Sequence, residues 1–359
     1  MKLGIFYDTF VNRGGAERTV SILANHFKAD IITAGYDPNL FKDMIHTTVA
    51  DIGNLTLKNI NPSMGLLESD IRFYMNRNNF DYDLFIFCGM HSIFAAYDNT
   101  PNIWLCFTPS RLLYDLKEER LNTLNSIQRP IWNRYIKFFS PRDQNVIKNE
   151  IQKIIVNSKN TQMRVKSFYG LDSRIIYSPI ETEKFKFKEF GDFFLTVNRI
   201  AFHKRVDLIA KAFTKMPDKN LVIIGDGPDN KKLLRIIKGH HNIRFLGSVD
   251  DVQLKDAYSR CLATIYVPMD EDFGRIPLEG MAAGKPCIAA NEGGCKETVI
   301  HNKTGFLTEP TIGSIIKEVK RLSVEKAEEM KDDCIIWAKK FDTKTFIEKW
   351  KNEIKDSIG

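Results

Sequence analysis

The sequence predicts an α/β protein built of two doubly wound domains, each a parallel sheet with helices on both faces. Three observations carry this. The chain has 359 residues, more than twice the usual single-domain length, so roughly two domains are expected. Short apolar runs alternate with stretches of helical spacing, the pattern of parallel sheets covered on both sides. The alternation lapses near Glu181–Gly191 and then starts again.

Lys2–Asp8 opens the first series as an apolar strand, and Gly14–His26 follows with helical periodicity. Ile31–Ala34, Tyr82–Cys88, Ile103–Thr108, Lys153–Asn157 and Ile175–Tyr177 are the further strands of this half. The second half has strands at Phe193–Asn198, Leu221–Ile224, Ile243–Leu246, Ala263–Val267 and Pro286–Ala289. Between them lie helical patterns at Val206–Phe213, Asn230–Lys238, Val252–Ser259 and Ile276–Ala283. The Lys/Phe-rich stretch after Glu181 has neither period and sets the expected boundary, giving domains 1–185 and 186–341. Ile315–Ile358 is helical apart from a break near Phe341-Asp342-Thr343, and a last helix over about 342–359 is expected to pack back on the first domain.

Composition excludes several classes. With 43% hydrophobic and 27% charged residues, the chain is neither disordered, collagen-like nor a coiled coil. No apolar run approaches the ~20 residues of a membrane-spanning helix, and Met1–Asp8 turns polar too soon for a signal peptide. A cytoplasmic location is expected, free or on the inner membrane face. The six cysteines form no C-x-x-C pair and read as buried small hydrophobes in a reducing compartment. The seven histidines lack paired metal spacing. A net charge of +7 is too weak to argue nucleic acid binding. It is unevenly spread: Arg111–Lys166 holds 12 Lys/Arg against 5 Asp/Glu.

Ligands of such sheets bind at the carboxyl ends of the strands, so residues just after strands are the first candidates. Gly14-Gly15-Ala16-Glu17 follows the first strand and opens a helix, where free N–H groups suit an anion; it also reads as a plain turn. Neither this turn nor Gly225-Asp226-Gly227-Pro228 supplies G-x-G-x-x-G, which argues against a dehydrogenase. Arg199 and Lys204 end the first strand of the second series and precede a helix, two cations suited to a diphosphate. In Pro268–Pro286, Glu271 lies in a loop and Glu279 in the next helix, carboxylates able to accept bonds from sugar and ribose hydroxyls. Gly293-Gly294 offers a second anion-binding turn. Asp270-Glu271-Asp272 could alternatively hold Mg²⁺ or Mn²⁺. The metal-free reading is preferred, because Arg199 and Lys204 already supply positive charge.

Taken together, Gly14-Gly15-Ala16-Glu17, Arg199 with Lys204, and Glu271-x₇-Glu279 followed by Gly293-Gly294 resemble the retaining GT-B glycosyltransferases of family 4. The resemblance covers the whole chain, including Asn157-Ser158 and Ser178-Pro179-Ile180. Thr108-Pro109-Ser110-Arg111-Leu112-Leu113-Tyr114-Asp115 and Glu271-Asp272-Phe273-Gly274 are most similar to the mannosyltransferase branch of polysaccharide synthesis. It implies two Rossmann-like domains facing a cleft and a nucleotide-diphosphate sugar as donor, with a glycan or lipid-linked acceptor. No cofactor or metal is implied. By position, Arg199 and Lys204 would hold the diphosphate, and Glu271 with the backbone of Asp272, Phe273 and Gly274 the transferred sugar. Glu279 would take the ribose, Gly14 and Gly15 the donor phosphate, and Gly227 and Val249 the base. Arg199, Lys204 and Glu271 are the catalytic candidates; Glu17, His91, Phe107, Thr108 and Arg111 are acceptor-side candidates.

The chain departs from that pattern twice. Phe107 stands where many relatives have His, and a phenyl ring cannot make the hydrogen bond to the sugar. His91 either substitutes for it or is a structural histidine. Asp272 stands where most of the family has Gly and adds a charge beside the sugar site. The competing readings are a sugar-nucleotide epimerase of the same fold and a silent sugar-nucleotide-binding protein. The run Arg129–Arg142, basic and aromatic, suits peripheral contact with an anionic membrane. Its Trp132, Tyr135, Ile136 and Phe139 also have the spacing of an ordinary helix with its apolar face inward.

Overall fold

The computed structural model describes residues 1–53, 62–111, 113–118, 121, 124–126 and 128–358; Leu112 of the Thr108–Asp115 motif lies outside them. It divides into two compact units, Met1–Tyr177 with Ile347–Gly359, and Ser178–Phe346.

The first unit runs β1 (Leu3–Tyr7), α1 (Gly15–Phe27), β2 (Asp30–Thr33), α2 (Pro38–Phe41), β3 (Val49–Asp51), α3 (Pro62–Asn76), β4 (Leu84–Cys88), β5 (Asn102–Cys106), α4 (Gln128–Asn149), β6 (Lys153–Val156), α5 (Lys159–Tyr169) and β7 (Arg174–Ile175). The strands form one parallel sheet in the order β3-β2-β1-β4-β5-β6-β7. Every residue of β1, β4 and β5 is buried, which is why these segments read as continuous apolar runs. Strand order reverses between β1 and β4, and Tyr7 pairs with Cys88, so the loops after these strands leave the sheet side by side. On α4, Trp132, Ile136 and Phe139 join the core around Phe87 and Trp104.

The second unit runs β8 (Phe193–Val197), α6 (Val206–Phe213), β9 (Asn220–Ile224), α7 (Asn230–Ile237), β10 (Ile243–Gly247), α8 (Asp251–Arg260), β11 (Ala263–Tyr266), α9 (Arg275–Ala282), β12 (Cys287–Ala290), α10 (Cys295–Thr298), β13 (Gly305–Thr308), α11 (Ile312–Arg321) and α12 (Val324–Lys339). Its parallel sheet has the order β10-β9-β8-β11-β12-β13, with the reversal between β8 and β11. The segment from Ser178 belongs here, not with the first domain as the Lys/Phe stretch suggested. The Ile180 N–H donates to the Phe341 carbonyl at 2.7 Å, Arg275 donates to the Pro179 carbonyl at 2.5 Å, and Phe185 meets the Tyr258 ring edge-on.

The C-terminal helical stretch is interrupted twice rather than once. Besides the break before α13 (Thr343–Ile358), α11 ends at Arg321 and the Ser323 hydroxyl caps α12 by accepting from the Lys326 N–H. On α13, Phe346, Ile347, Trp350 and Ile354 are buried at helical spacing. Glu353 pairs with Lys153 at 3.2 Å and Arg174 at 3.0 Å. Trp350 is wholly buried. Replacing it with Ala should therefore cost ~3–5 kcal/mol, read as a lower urea midpoint for the transition reporting the first unit. A midpoint that does not move would mean this helix contributes no stability.

Candidate functional site

In the second unit the loops after β8 and β11 meet where strand order reverses, the place such sheets bind ligands. Lys204 ends a single 3₁₀ turn, Phe202–Lys204, after β8. Its Nζ lies 2.6 Å from Glu271 Oε2 in the loop after β11, and both side chains are under a fifth exposed. Burial acts to raise the Glu271 pKa; the Lys204 charge and a hydrogen bond from the Tyr266 hydroxyl outweigh it and lower the carboxyl below its ordinary value. Arg199 is exposed at the start of the same loop, two residues after β8. Its backbone is set by the loop after β9. Ile200 exchanges hydrogen bonds with Asp226 and Asp229, and a Cβ on Gly227 would collide with the Ile200 carbonyl. Gly227 thus supports the Arg199 loop.

Glu279 is buried on α9, where its Oε2 accepts from the Tyr258 hydroxyl at 3.0 Å and Arg275 approaches Oε1 at 3.6 Å. Gly274 starts α9 at φ +85°, a left-handed turn that suits glycine. Phe273 is turned inward, 3% exposed and packed on Phe341; only its backbone can meet a ligand. Asp272 is half-buried beside it. The expected second anion-binding turn has another explanation. Gly293 and Gly294 lie so close to the Asp270–Phe273 backbone that a Cβ on either would clash with it. The Gly294 N–H donates to the Glu271 carbonyl at 2.7 Å, and the helix they open has four residues. Val249 is half-buried and lines an open cavity of about 860 Å³ with Val222, Ile224, Leu246 and Val252, along the β9–β10 face. Neither Lys204 nor Glu271 lines that cavity.

In the first unit Asp8, just after β1, holds the loop after β4. Its carboxylate accepts from the N–H groups of Met90, His91 and Ser92 at 3.0, 2.9 and 2.8 Å. His91 Nδ1 lies 2.6 Å from Asp70 on α3, with both side chains nearly buried. Burial favours neutral imidazole, yet Asp70 and Asp8 win and raise His91 to about 9. Burial raises Asp70 to about 6, against the pull of His91. Near neutral pH the two form an ion pair. Glu17 folds back over the start of its own helix, accepting from the Tyr7 hydroxyl at 2.9 Å and from the Gly14 N–H, one half of a capping box. Burial raises its pKa. In this structure the Gly14 N–H is thus met by an internal carboxylate. Phe107 and Thr108 are half-buried after β5. Arg111 is tied to Asp115 at 2.8 Å, with Arg164 3.8 Å away.

Sequence reasoning missed Tyr258 and Asp70, which hold Glu279 and His91 from 21 positions away, and Tyr266, which holds Glu271 from the end of β11. Arg275 was readable, because it stands four residues before Glu279 on one helix face.

Two units with parallel sheets, each with its polar loops at a strand-order reversal, define the GT-B class of fold. Residues 178–341, most of the second unit, match the family described as glycosyl transferases group 1. The chain is 34% identical over 144 residues to the α-1,3/1,6-mannosyltransferase ALG2 of Dictyostelium discoideum, covering 33% of this chain and 34% of that protein. It is 30% identical over 172 residues to the N-acetyl-α-D-glucosaminyl L-malate synthase of Bacillus anthracis, covering 45% and 43%. The matches thus span between a third and a half of these relatives. Among solved structures, HepE of Anabaena in complex with UDP and glucose superposes with TM-score 0.76 at 19% identity, covering 99% of this chain and 100% of that one. Sucrose-phosphate synthase of Thermosynechococcus elongatus gives 0.77 at 16% identity, covering 99% and 98%.

The His91–Asp70 pair sets a pH dependence with a definite sign. A histidine raised by folding contributes stability that is complete below about pH 6.5 and lost as pH rises through about 9. The Asp70 window lies lower, below about 6. The apparent melting temperature should therefore fall between pH 7 and 9.5, and fall less in Asp70→Asn. Equal losses in both proteins, measured by calorimetry, would assign the dependence elsewhere.

Proposed function

We propose that the chain is a retaining glycosyltransferase that moves a hexose from a nucleotide-diphosphate sugar, mannose from GDP-mannose, to a glycan or lipid-linked acceptor. The observation that carries this reading is the Lys204–Glu271 pair at the β8/β11 reversal of a group 1 domain. The choice of mannose leans on the Thr108–Asp115 and Glu271–Gly274 motifs, and on the name of a relative matched over a third of this chain. A catalytically silent sugar-nucleotide-binding protein or an epimerase would share the fold but not transfer.

As the glycosidic bond to the donor breaks, charge develops on the β-phosphate; preorganised cations there stabilise the transition state. Lys204, held at the switch point, and Arg199, exposed beside it, take that role. Glu271 accepts hydrogen bonds from the sugar hydroxyls, and Glu279, already oriented by Tyr258 and Arg275, from the ribose. With both cations in place the reaction proceeds without a metal, and Asp270-Glu271-Asp272 acts through its backbone and Glu271. The acceptor approaches the first unit, where His91 stands at the end of β4 and Phe107 and Arg111 follow β5. Purified protein is to be incubated with GDP-mannose, UDP-glucose and UDP-N-acetylglucosamine, and release of the nucleotide followed. Turnover with one donor should fall at least ~100-fold in Lys204→Ala and persist in excess EDTA. Near-normal Lys204→Ala turnover removes the diphosphate assignment; activity lost in EDTA and restored by Mn²⁺ removes the metal-free one.

Peripheral contact with an anionic membrane belongs to the same proposal. On α4, Arg129, Arg134, Lys137, Arg142 and Lys148 are exposed, and the helix's single acid, Asp143, is buried. Ile131 and Phe138 are exposed among them, 46% and 49%. Each basic residue near an anionic surface contributes ~1 kcal/mol. The protein should sediment with anionic vesicles at low salt but not with neutral ones, and Arg134→Glu with Lys137→Glu should abolish this. Wild type that stays in the supernatant leaves α4 as a solvated face.

A further inference from the structure

Lys204 and Glu271 are each flanked by a residue in a backbone conformation that non-glycine residues rarely adopt. Arg205, directly after Lys204, has φ +50°, and Asp270, directly before Glu271, has φ +42°. One carboxylate links the two. Glu292 Oε2 accepts from the Arg205 guanidinium at 2.9 Å and from the Asp270 N–H at 3.2 Å. The same guanidinium nitrogen donates to the Pro268 carbonyl at 3.3 Å, and the Met269 N–H donates to the His203 carbonyl at 2.7 Å. Glu292 is itself fixed from below. It precedes Gly293, whose close approach to the Glu271 backbone admits no Cβ. Three loops, after β8, β11 and β12, are thus tied at the two residues adjoining the functional pair. The Arg205–Glu292 pair is partly buried, 18% and 30% exposed, and Arg205 Nη1 and Glu292 Oε2 both bond to protein groups.

We propose that Arg205 and Glu292 are positioning residues: they hold the left-handed turns that aim Lys204 and Glu271 at a common ligand without touching it themselves. The ligand is the nucleotide-diphosphate sugar of the preceding section, and the kinetic part of the test rests on that reading. Misplacing a catalytic group by about 1 Å can cost ~100-fold in rate, so loss of a brace that still leaves both groups present should act on turnover more than on binding.

The test compares Glu292→Ala, Glu292→Gln and Arg205→Gly with wild type by amide hydrogen exchange and by turnover of the accepted nucleotide sugar. Glu292→Ala should speed exchange in 203–206 and 268–272 and lower kcat about tenfold, with KM within about threefold. Glu292→Gln keeps an acceptor oxygen and should retain most of both. Glycine tolerates the left-handed turn, so Arg205→Gly separates backbone strain from the ion pair. It should lose kcat as Glu292→Ala does, and wild-type kcat in that variant would overturn the proposal. Unchanged exchange in Glu292→Ala would overturn it too, whatever the activity. If no nucleotide sugar is turned over by wild type while exchange responds as expected, the glycosyltransferase reading fails and the brace stands.

Discussion

The second unit's functional end is organised by one ion pair, Lys204 with Glu271. Taking two charges largely out of water is unfavourable unless each finds its partner and further hydrogen bonds. The pair meets that demand with a 2.6 Å contact and the Tyr266 hydroxyl. For a fully buried pair, removing one partner costs about 3–5 kcal/mol because the other is stranded; at nearly a fifth exposure the cost here is smaller. The requirement still constrains the surrounding backbone, since both charges stand on loops and loops do not hold positions by themselves.

Backbone packing supplies the rigidity. Gly227 lets the loop after β9 lie against Ile200, and Gly293-Gly294 lets the loop after β12 lie against Glu271. Side chains at these positions would push the loops apart. The first unit solves the same problem with a side chain, Asp8, whose carboxylate gathers three consecutive N–H groups of the β4 loop. In both units the fixed loop lies at the reversal of strand order, where neighbouring connections run to opposite faces of the sheet and leave a gap between them.

This division explains what was legible in the sequence. Strands buried on both faces, such as Leu84–Cys88, announce themselves as unbroken apolar runs. The edge strand Val49–Asp51 is too short to show a period, Arg174–Ile175 was read one residue late as Ile175–Tyr177, and Gly305–Thr308 begins with a strand-weakening glycine. Helix α5 has a good Ser158 cap but a polar composition, so its spacing was silent. The motif residues Lys204 and Glu271 were legible because each stands in a loop after a strand, and Glu279 because it lies eight residues on, within the next helix. Their partners Tyr266, Tyr258 and Glu292 were not: the contact from Tyr258 to Glu279 spans 21 positions, and no local pattern encodes it. The glycine pair at Gly293 was legible as a tight turn, but its neighbour was not, so an anion was inferred where a backbone lies.

On the glycosyltransferase reading proposed above, Lys204 cannot serve Glu271 and an incoming diphosphate equally. An arriving anion draws the ammonium toward itself, while Glu271 keeps the Tyr266 hydroxyl and loses part of its counter-charge. A carboxylate so relieved becomes a stronger acceptor for neutral hydroxyl donors, which is what a sugar attached to that diphosphate presents. Binding of the phosphate would in this way prepare Glu271 for the sugar, so the two ends of the donor are read in a coupled manner. The coupling requires that Glu271 stay where it is when Lys204 turns away. That demand falls on the backbone on either side of it, on Asp270 held from Glu292 and on the Glu271 carbonyl held by the Gly294 N–H. The loops need to be stiffer than the ion pair they carry, and the close glycine contacts of this unit provide that stiffness.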